Sequence, residues 1–262
     1  MKEVVIKSFE HLQEVVFKDC YDEKIGRYRN EFVYRGLSNK EFSLQTSFQR
    51  VCSHDLDLER SVIRSFIKYG YADLKDTHSI FQIMAVGQHY GLPTRLLDWT
   101  YSPLIAAHFA TCDLEDFDKD AVIYCVDTST VRNNLPEPLR DQLIKERANI
   151  FTSSMLDHAF PSLDSMSQYS KDPYLVFFEP ASQTDRMANQ YGLFSVASDV
   201  SANIQKLLPK DDKSFYKLII PSIIKLEIRD KLDYINISER NILPGLDGIC
   251  KWITRHYSNL ND

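Results

Sequence analysis

Apolar residues recur along the chain at two spacings, about 3.6 residues and 2 residues, which are typical of helices and strands. Both spacings meet in the stretch 81–110, which reads FQIMAVGQHYGLPTRLLDWTYSPLIAAHFA. The first helix is predicted to end at Gly91 and Pro93, because glycine takes the left-handed cap and proline cannot continue a helix. A strand is then predicted over 94–100 and a second, buried helix over 104–110.

The same alternation extends over the rest of the chain. Further helices are predicted over 8–16, 55–71, 139–149 and 247–257, and further strands over 4–6, 31–36, 121–126, 174–179, 193–197 and 215–220. Residues 128–173 are Ser-rich and weakly patterned, so we expect an insertion or mobile cover there. Because no repeat or linker divides 1–262, we expect one compact α+β domain.

Composition narrows the class of protein. The 262 residues carry a net charge of −6, which argues against a broad electrostatic footprint for nucleic acid. The five cysteines are widely spaced and lack a C-x-x-C pair, a pattern that favours reduced thiols in the cytoplasm. The N-terminal residues are too polar for a signal peptide, and no apolar run approaches membrane-spanning length. We therefore expect a cytoplasmic protein with no membrane partner and no metal site.

Polar and titratable side chains crowd into the central stretch, near predicted helix ends and turns. They are Gln88, His89, Tyr90, Thr94, Arg95, Asp98 and Thr100. Each buried polar group needs a partner, so a plain core would not use so many of them. The cluster therefore predicts a functional site. A structural interpretation stays open for single residues, as an Arg95–Asp98 ion pair, a capping His89 or a packed Trp99.

Arginines beside strand ends suggest the chemistry of this site. Arg35 closes a predicted strand, and Gly36 permits a sharp turn or the close approach of a ligand. Arg95 and Arg186 also lie beside predicted strands or turns, and arginines that converge can grip a diphosphate. A structural salt bridge is the alternative for Arg35. The polar segment 37–50 predicts a loop over one face of the site.

Aromatic residues near these arginines are candidates for stacking on a base or a nicotinamide ring. They are Tyr34, Tyr90, Trp99 and Phe194. The sequence contains no Walker loop and no G-x-G-x-x-G motif, so it gives no support for P-loop or Rossmann nucleotide binding. It also contains no G-x-S-x-G elbow of a serine hydrolase.

Four blocks of sequence resemble the FRG domain family, which is named for its (F/Y)RG motif. The blocks are FVYRG at 32–36, QHYGLPTRLLDWTYSPLIAAHFA at 88–110, RMANQYGLF at 186–194 and LPGLDG at 243–248. Their order and spacing extend the resemblance over most of the chain, so an FRG domain is expected over 1–262. The family occurs mainly in bacteria and their phages, which implies a cytoplasmic protein.

A more distant resemblance is to the ADP-ribosyltransferases, and it implies a central split, mostly antiparallel sheet flanked by helices. Arg35 resembles their NAD-gripping arginine on an early strand. The strand 96–100 and the helix ending Ala-His-Phe-Ala at 107–110 are similar to their middle motif. The resemblance implies that Thr100 or Ser102 represents that motif.

The same resemblance implies further roles. Tyr90 or Trp99 would stack on nicotinamide, with Gly36 among the residues that bind NAD. The third motif should supply a glutamate on a late strand, and the order of elements offers Glu179 or Gln190, neither within a Q-x-E or E-x-E pattern. The resemblance leaves His89, Arg95, Asp98 and Arg186 as residues that brace the site or contact substrate.

Together these features lead us to expect an NAD-consuming enzyme, an ADP-ribosyltransferase or NAD glycohydrolase, acting as a bacterial toxin or antiviral defence effector. NAD or another nucleotide would be the small-molecule partner, and the acceptor would be a protein or nucleic acid. The competing expectation is a non-catalytic nucleotide- or RNA-binding module. A third is an interaction domain in which the conspicuous blocks are structural.

Overall fold

The computed structural model describes residues 2–18, 20–23, 25–52, 55–181 and 188–258. Its strands are β1 (Lys2–Val5), β2 (Tyr21–Asp22), β3 (Arg27–Tyr28), β4 (Phe32–Leu37), β5 (Leu96–Thr100), β6 (Ala121–Asp127), β7 (Phe151–Thr152), β8 (Leu175–Glu179), β9 (Gly192–Ala197) and β10 (Phe215–Ile220). The strands other than β2 and β3, which pair with each other, form one sheet in the order β1-β10-β6-β4-β5-β9-β8-β7. The parallel pairings lie at its two edges, β1 with β10 and β7 with β8, and the pairings between them are antiparallel.

Helices cover both faces of this sheet. They are α1 (Phe9–Phe17), α2 (Ser47–Val51), α3 (Leu56–Tyr69), α4 (Tyr71–Leu74), α5 (Ile80–His89), α6 (Pro103–Thr111), α7 (Thr128–Asn133), α8 (Glu137–Glu146), α9 (Ser153–Ala159), α10 (Ile204–Leu207), α11 (Lys225–Tyr234), α12 (Glu239–Ile242) and α13 (Leu246–Tyr257). The predicted α+β fold, with a mostly antiparallel sheet flanked by helices, is confirmed. Within the described ranges no helix is both long and apolar enough to cross a bilayer.

The sheet opens between β4 and β5. β4 pairs with β6 along its whole length, from Phe32 opposite Asp127 to Leu37 opposite Val122. Along β4 and β5, both described in full, pairing is confined to Tyr34 opposite Thr100. The two strands therefore diverge beyond this point, and each is held by the neighbour on its other side.

The helix α6 explains much of the central stretch. Ser102 caps its first turn by accepting from the main-chain N–H of Ile105 at 3.3 Å, and Pro103 occupies the first helical position. Ala106 and Ala110 are fully buried, so the helix lies directly against β4. The predicted cap and the predicted burial of this helix are both observed.

The segment 128–173 packs into the core rather than over the pocket described below. Its apolar side chains share one cluster with those of α5, β5 and β8. Leu139, Phe151, Leu156 and Met166 are buried within that cluster. Whether the segment is an insertion relative to similar proteins stays a prediction.

Candidate functional site

A pocket of about 880 Å³ lies where β4 and β5 diverge. One wall comes from β4 and the loop after it, and the opposite wall from the ends of α5 and β5. Of the residues predicted for the site or for stacking, those that line this pocket are Tyr34, Arg35, Gly36, Gln88, His89, Asp98, Trp99, Thr100, Gln190 and Phe194. Chain folding thus brings an early strand, the central stretch and the turn before β9 to one cavity.

Arg35 is held against Asp98 across the opening. Its Nη1 donates to the main-chain oxygen of Asp98 at 2.7 Å and lies 3.5 Å from the Asp98 carboxylate. Its Nε is buried and has no hydrogen-bond partner among the described residues. Burial lowers the pKa of Arg35, the Asp98 carboxylate opposes this shift, and the nearby Arg50 adds to it. The Arg35 side chain is 17% exposed, and a partly exposed guanidinium with an unsatisfied N–H in a cavity is suited to binding an anion.

Gly36 allows a close approach, but the approaching group is the helix α6. A β-carbon at this position would lie 1.8 Å from the main-chain oxygen of Ala106 and 2.9 Å from the nitrogen of Ala110. The direction in which a side chain at position 36 would point is therefore occupied by α6 and not by the cavity. Gly36 lines the pocket, yet packing of α6 on β4 accounts for the glycine.

Thr100 links the central stretch to Gln190. Its hydroxyl donates to the main-chain oxygen of Gln190 at 2.8 Å and accepts from the N–H of Ser102 at 3.1 Å. Both Thr100 and Gln190 line the pocket, whereas Ser102 is engaged in capping α6 and is not among the lining residues. Of these two candidates for the middle motif, Thr100 is the one at the cavity.

Arg95 does not converge with Arg35. Both side chains of the pair Arg95 and Glu59 are buried, and the guanidinium binds both carboxylate oxygens, with Nε to Oε1 at 2.7 Å. Its Nη1 donates to the main-chain oxygen of Ala197 at 3.3 Å. The suggested Arg95–Asp98 ion pair is therefore wrong. Arg95 lies just before β5 and is engaged by Glu59, whereas Asp98, within β5, contacts Arg35.

The two aromatic residues proposed to stack on nicotinamide are placed differently. Trp99 is only 3% exposed, its Nε1 donates to Ser195 Oγ at 2.9 Å, and its ring lies edge-on to Phe177. Tyr90 is 74% exposed and caps α5, and it does not line the pocket. His89, next to it, does line the pocket and contacts the Tyr90 ring. Tyr90 therefore lies outside the cavity, and Trp99 lines the cavity but is almost fully buried.

The two candidates for the third motif also differ. Glu179 ends β8, where its Oε1 accepts from the hydroxyl of Tyr101 at 2.6 Å, and it is not among the residues that line the pocket. Burial and this carboxylate raise the pKa of Tyr101. Gln190 does line the pocket, so its position is the better suited to contact a ligand. Arg186 lies outside the described residues.

Sequence reasoning predicted the loop over the site but missed its two most notable side chains. Phe42 is 48% exposed and lines the pocket, so it offers an aromatic face that Trp99 does not. Arg50, on α2, lines the same cavity. The only available signal was their position in the polar segment 37–50. Within the described part of the chain, no group of His, Cys, Asp or Glu side chains is arranged to hold a metal ion.

The comparison with protein families finds a match that covers part of the chain. The model of the FRG domain family matches residues 30–119. That range includes Arg35, Asp98 and Thr100 and ends before Glu179 and Gln190. No curated protein and no solved structure matches the chain. Residues 30–119, which build most of the pocket wall, are therefore similar to the FRG domain.

Proposed function

We propose that this protein is an NAD-consuming, ADP-ribosyltransferase-like enzyme whose substrate binds in the pocket between β4 and β5. The observation that carries the proposal is that Arg35 and Gln190, far apart in sequence, line one cavity at the opening of the sheet. A volume of about 880 Å³ lies within the range of pockets for small molecules and cofactors. In this proposal the protein acts in the cytoplasm as a toxin or antiviral defence effector.

Six residues of the pocket have a role in the proposed reaction. Arg35 binds the diphosphate of NAD, Asp98 holds Arg35 in place, and the Gln190 amide hydrogen-bonds the nicotinamide ribose. Phe42 offers the exposed ring for stacking. His89 and Thr100 complete the polar wall, and Thr100 fixes Gln190 through its main chain.

The chemistry is the transfer of the ADP-ribosyl group from nicotinamide to an acceptor. The bond between C1′ of the ribose and the nicotinamide nitrogen breaks, and its electron pair leaves with neutral nicotinamide. The oxocarbenium-like centre then forms a bond to an acceptor oxygen or nitrogen, which loses its proton. With water as acceptor the reaction is NAD hydrolysis, and with a protein or nucleic acid it is ADP-ribosylation.

One observation favours the second candidate, a non-catalytic nucleotide- or RNA-binding module. Gln190 is neutral and cannot stabilise developing positive charge as a carboxylate does, and the Glu179 carboxylate is bonded to Tyr101. Binding through Arg35 requires neither carboxylate. NAD binding without turnover is the behaviour that this candidate predicts.

The deciding experiment measures nicotinamide release from NAD together with NAD binding by calorimetry. Wild-type protein is compared with Arg35→Ala, Gln190→Ala and Glu179→Ala, with Arg140→Ala as control because Arg140 lies outside the pocket. The enzyme proposal expects release that Arg35→Ala abolishes and that Gln190→Ala lowers more than Glu179→Ala does. Binding without release supports the second candidate, and the absence of both overturns the NAD proposal.

A further inference from the structure

Arg50 is a second cationic group in the pocket that sequence reasoning did not select. It lies at the end of α2 and lines the same cavity as Arg35. Its Nη1 donates to the main-chain oxygen of Gln45 at 2.8 Å, which turns the guanidinium back over its own loop. No carboxylate among the described residues forms a salt bridge with it, although Glu41 and Asp113 line the same cavity. Its charge is therefore available to a ligand.

The helix that carries Arg50 is firmly fixed. Thr46 and Gln49 form a reciprocal cap at its start, and the Gln49 amide also donates to the main-chain oxygens of Val200 and Ala202. Phe48 is fully buried, and its N–H donates to the main-chain oxygen of Thr94 at 3.0 Å. The main chain that carries Arg50 is therefore in place before the ligand arrives, which reduces the entropy lost on binding.

The positive charges of Arg35 and Arg50 repel each other unless an anion is bound between them. Two positive groups that share a cavity repel, and Arg50 acts with burial to lower the pKa of Arg35. Asp98 balances one of the two charges, and the buried Nε of Arg35 has no partner among the described residues. A ligand anion would supply both the missing charge and the missing acceptor.

We propose that Arg35 and Arg50 form a two-arginine clamp for the diphosphate of the ligand. This inference rests on the proposed function and deepens it, because it names the part of the nucleotide that the pocket recognises. A diphosphate carries two anionic centres and can engage both guanidinium forks, whereas a single phosphate can satisfy only one fork fully. The pocket therefore prefers nucleotides with a diphosphate to nucleoside monophosphates.

The test uses inorganic pyrophosphate and orthophosphate as probes, followed by ADP-ribose and AMP, in titration calorimetry at fixed salt. We expect pyrophosphate and ADP-ribose to bind more tightly than orthophosphate and AMP. Arg50→Ala should weaken pyrophosphate binding about 10- to 100-fold, since a lost charge-assisted hydrogen bond has that effect. Arg50→Lys should give an intermediate loss, because lysine keeps the charge without the fork.

Arg140→Ala is the matched control, because Arg140 also donates to a main-chain oxygen, that of Asn133, but lies outside the pocket. The clamp is overturned if wild-type protein does not bind pyrophosphate, if it binds both probes equally, or if Arg50→Ala binds pyrophosphate as the wild type does. Nicotinamide release with an unaffected Arg50→Ala would overturn the clamp and leave the enzyme. Loss of pyrophosphate binding in Arg50→Ala, without NAD turnover in wild type, would leave the clamp and overturn the enzyme.

Discussion

The hydroxyl of Thr100 donates to the main-chain oxygen of Gln190 at 2.8 Å, across a sequence separation of 90 residues. The hydroxyl oxygen of Thr100 also accepts from the N–H of Ser102, at the start of α6. One buried hydroxyl thus joins the end of β5, the first turn of a helix and the turn before β9. The arrangement gives Gln190 a fixed main-chain position in the wall of the pocket that Arg35 also lines.

Thr100→Val is expected to lower the free energy of unfolding by about 1–2 kcal/mol, because it leaves two main-chain groups without their partner while keeping the side-chain shape. Urea denaturation measures the change. Thr100→Ser should retain most of the stability, since it keeps the hydroxyl. Thr254→Val, on an exposed face of α13, should change stability by less than about 0.5 kcal/mol. A Thr100→Val protein as stable as the wild type would show that the linkage contributes nothing.

Gly36, in the pocket wall, and Gly192, at the start of β9, should respond differently to alanine. At Gly36 the added carbon would overlap the main chain of α6, whereas at Gly192 its nearest neighbour lies 3.7 Å away, an ordinary contact. We expect Gly36→Ala to destabilise the protein by about 1–3 kcal/mol or more through overpacking. Gly192→Ala should stay within about 1 kcal/mol of wild type. Thermal unfolding of both variants checks this, and equal stabilities would contradict the packing role of Gly36.

Local elements were predictable because their signals are local. The stop at Gly91 and Pro93, the cap at Ser102 and the buried stripe of α6 depend on residues within a few positions of each other. Arg35 was also selected from its place beside a glycine, although the predicted strand end at Arg35 is wrong, because β4 continues to Leu37. These signals need no knowledge of the tertiary arrangement.

Pairing between distant side chains was not predictable. Arg95 and Asp98 are close in sequence, yet Arg95 binds Glu59 of α3 and Asp98 faces Arg35 of β4. Which carboxylate pairs with which guanidinium depends on how the helices pack on the sheet. The spacing of apolar residues along the sequence carries no information about that packing. Arg50 was missed for the same reason, because its place in the pocket follows from the packing of α2 against the Thr94 main chain.

Breaking the Arg95–Glu59 pair should destabilise the fold without altering the shape of the ligand site. Both side chains are almost fully buried, so removing one partner leaves an uncompensated charge in the core. We expect Arg95→Ala to lower the free energy of unfolding by roughly 3–5 kcal/mol in urea denaturation. The double variant Arg95→Met, Glu59→Leu should recover much of that loss. Failure of the double variant to exceed Arg95→Ala in stability would contradict this account.

His108 makes the stability of the fold depend on pH. Burial and the nearby Arg229 lower the pKa of His108 to about 3, and its Nδ1 accepts from Arg229 Nη1 at 2.7 Å. The ordinary value is 6.5, so between about pH 6.5 and pH 3 the unfolded chain binds a proton that folded His108 does not. The contribution of neutral His108 to the free energy of unfolding is therefore fully present above about pH 6.5. It falls as the pH drops, by up to about 1.4 kcal/mol per pH unit.

Replacing His108 by asparagine isolates this effect, because the amide oxygen can accept from Arg229 but does not titrate. Urea denaturation at pH 7.5, 6.5, 5.5 and 4.5 should show the wild type losing stability faster than His108→Asn below about pH 6.5, with equal slopes above it. Glu239 and Arg255, which also act on His108, are present in both proteins and cancel in the difference. Parallel curves over the whole range would show that His108 is protonated alike in the folded and unfolded chains.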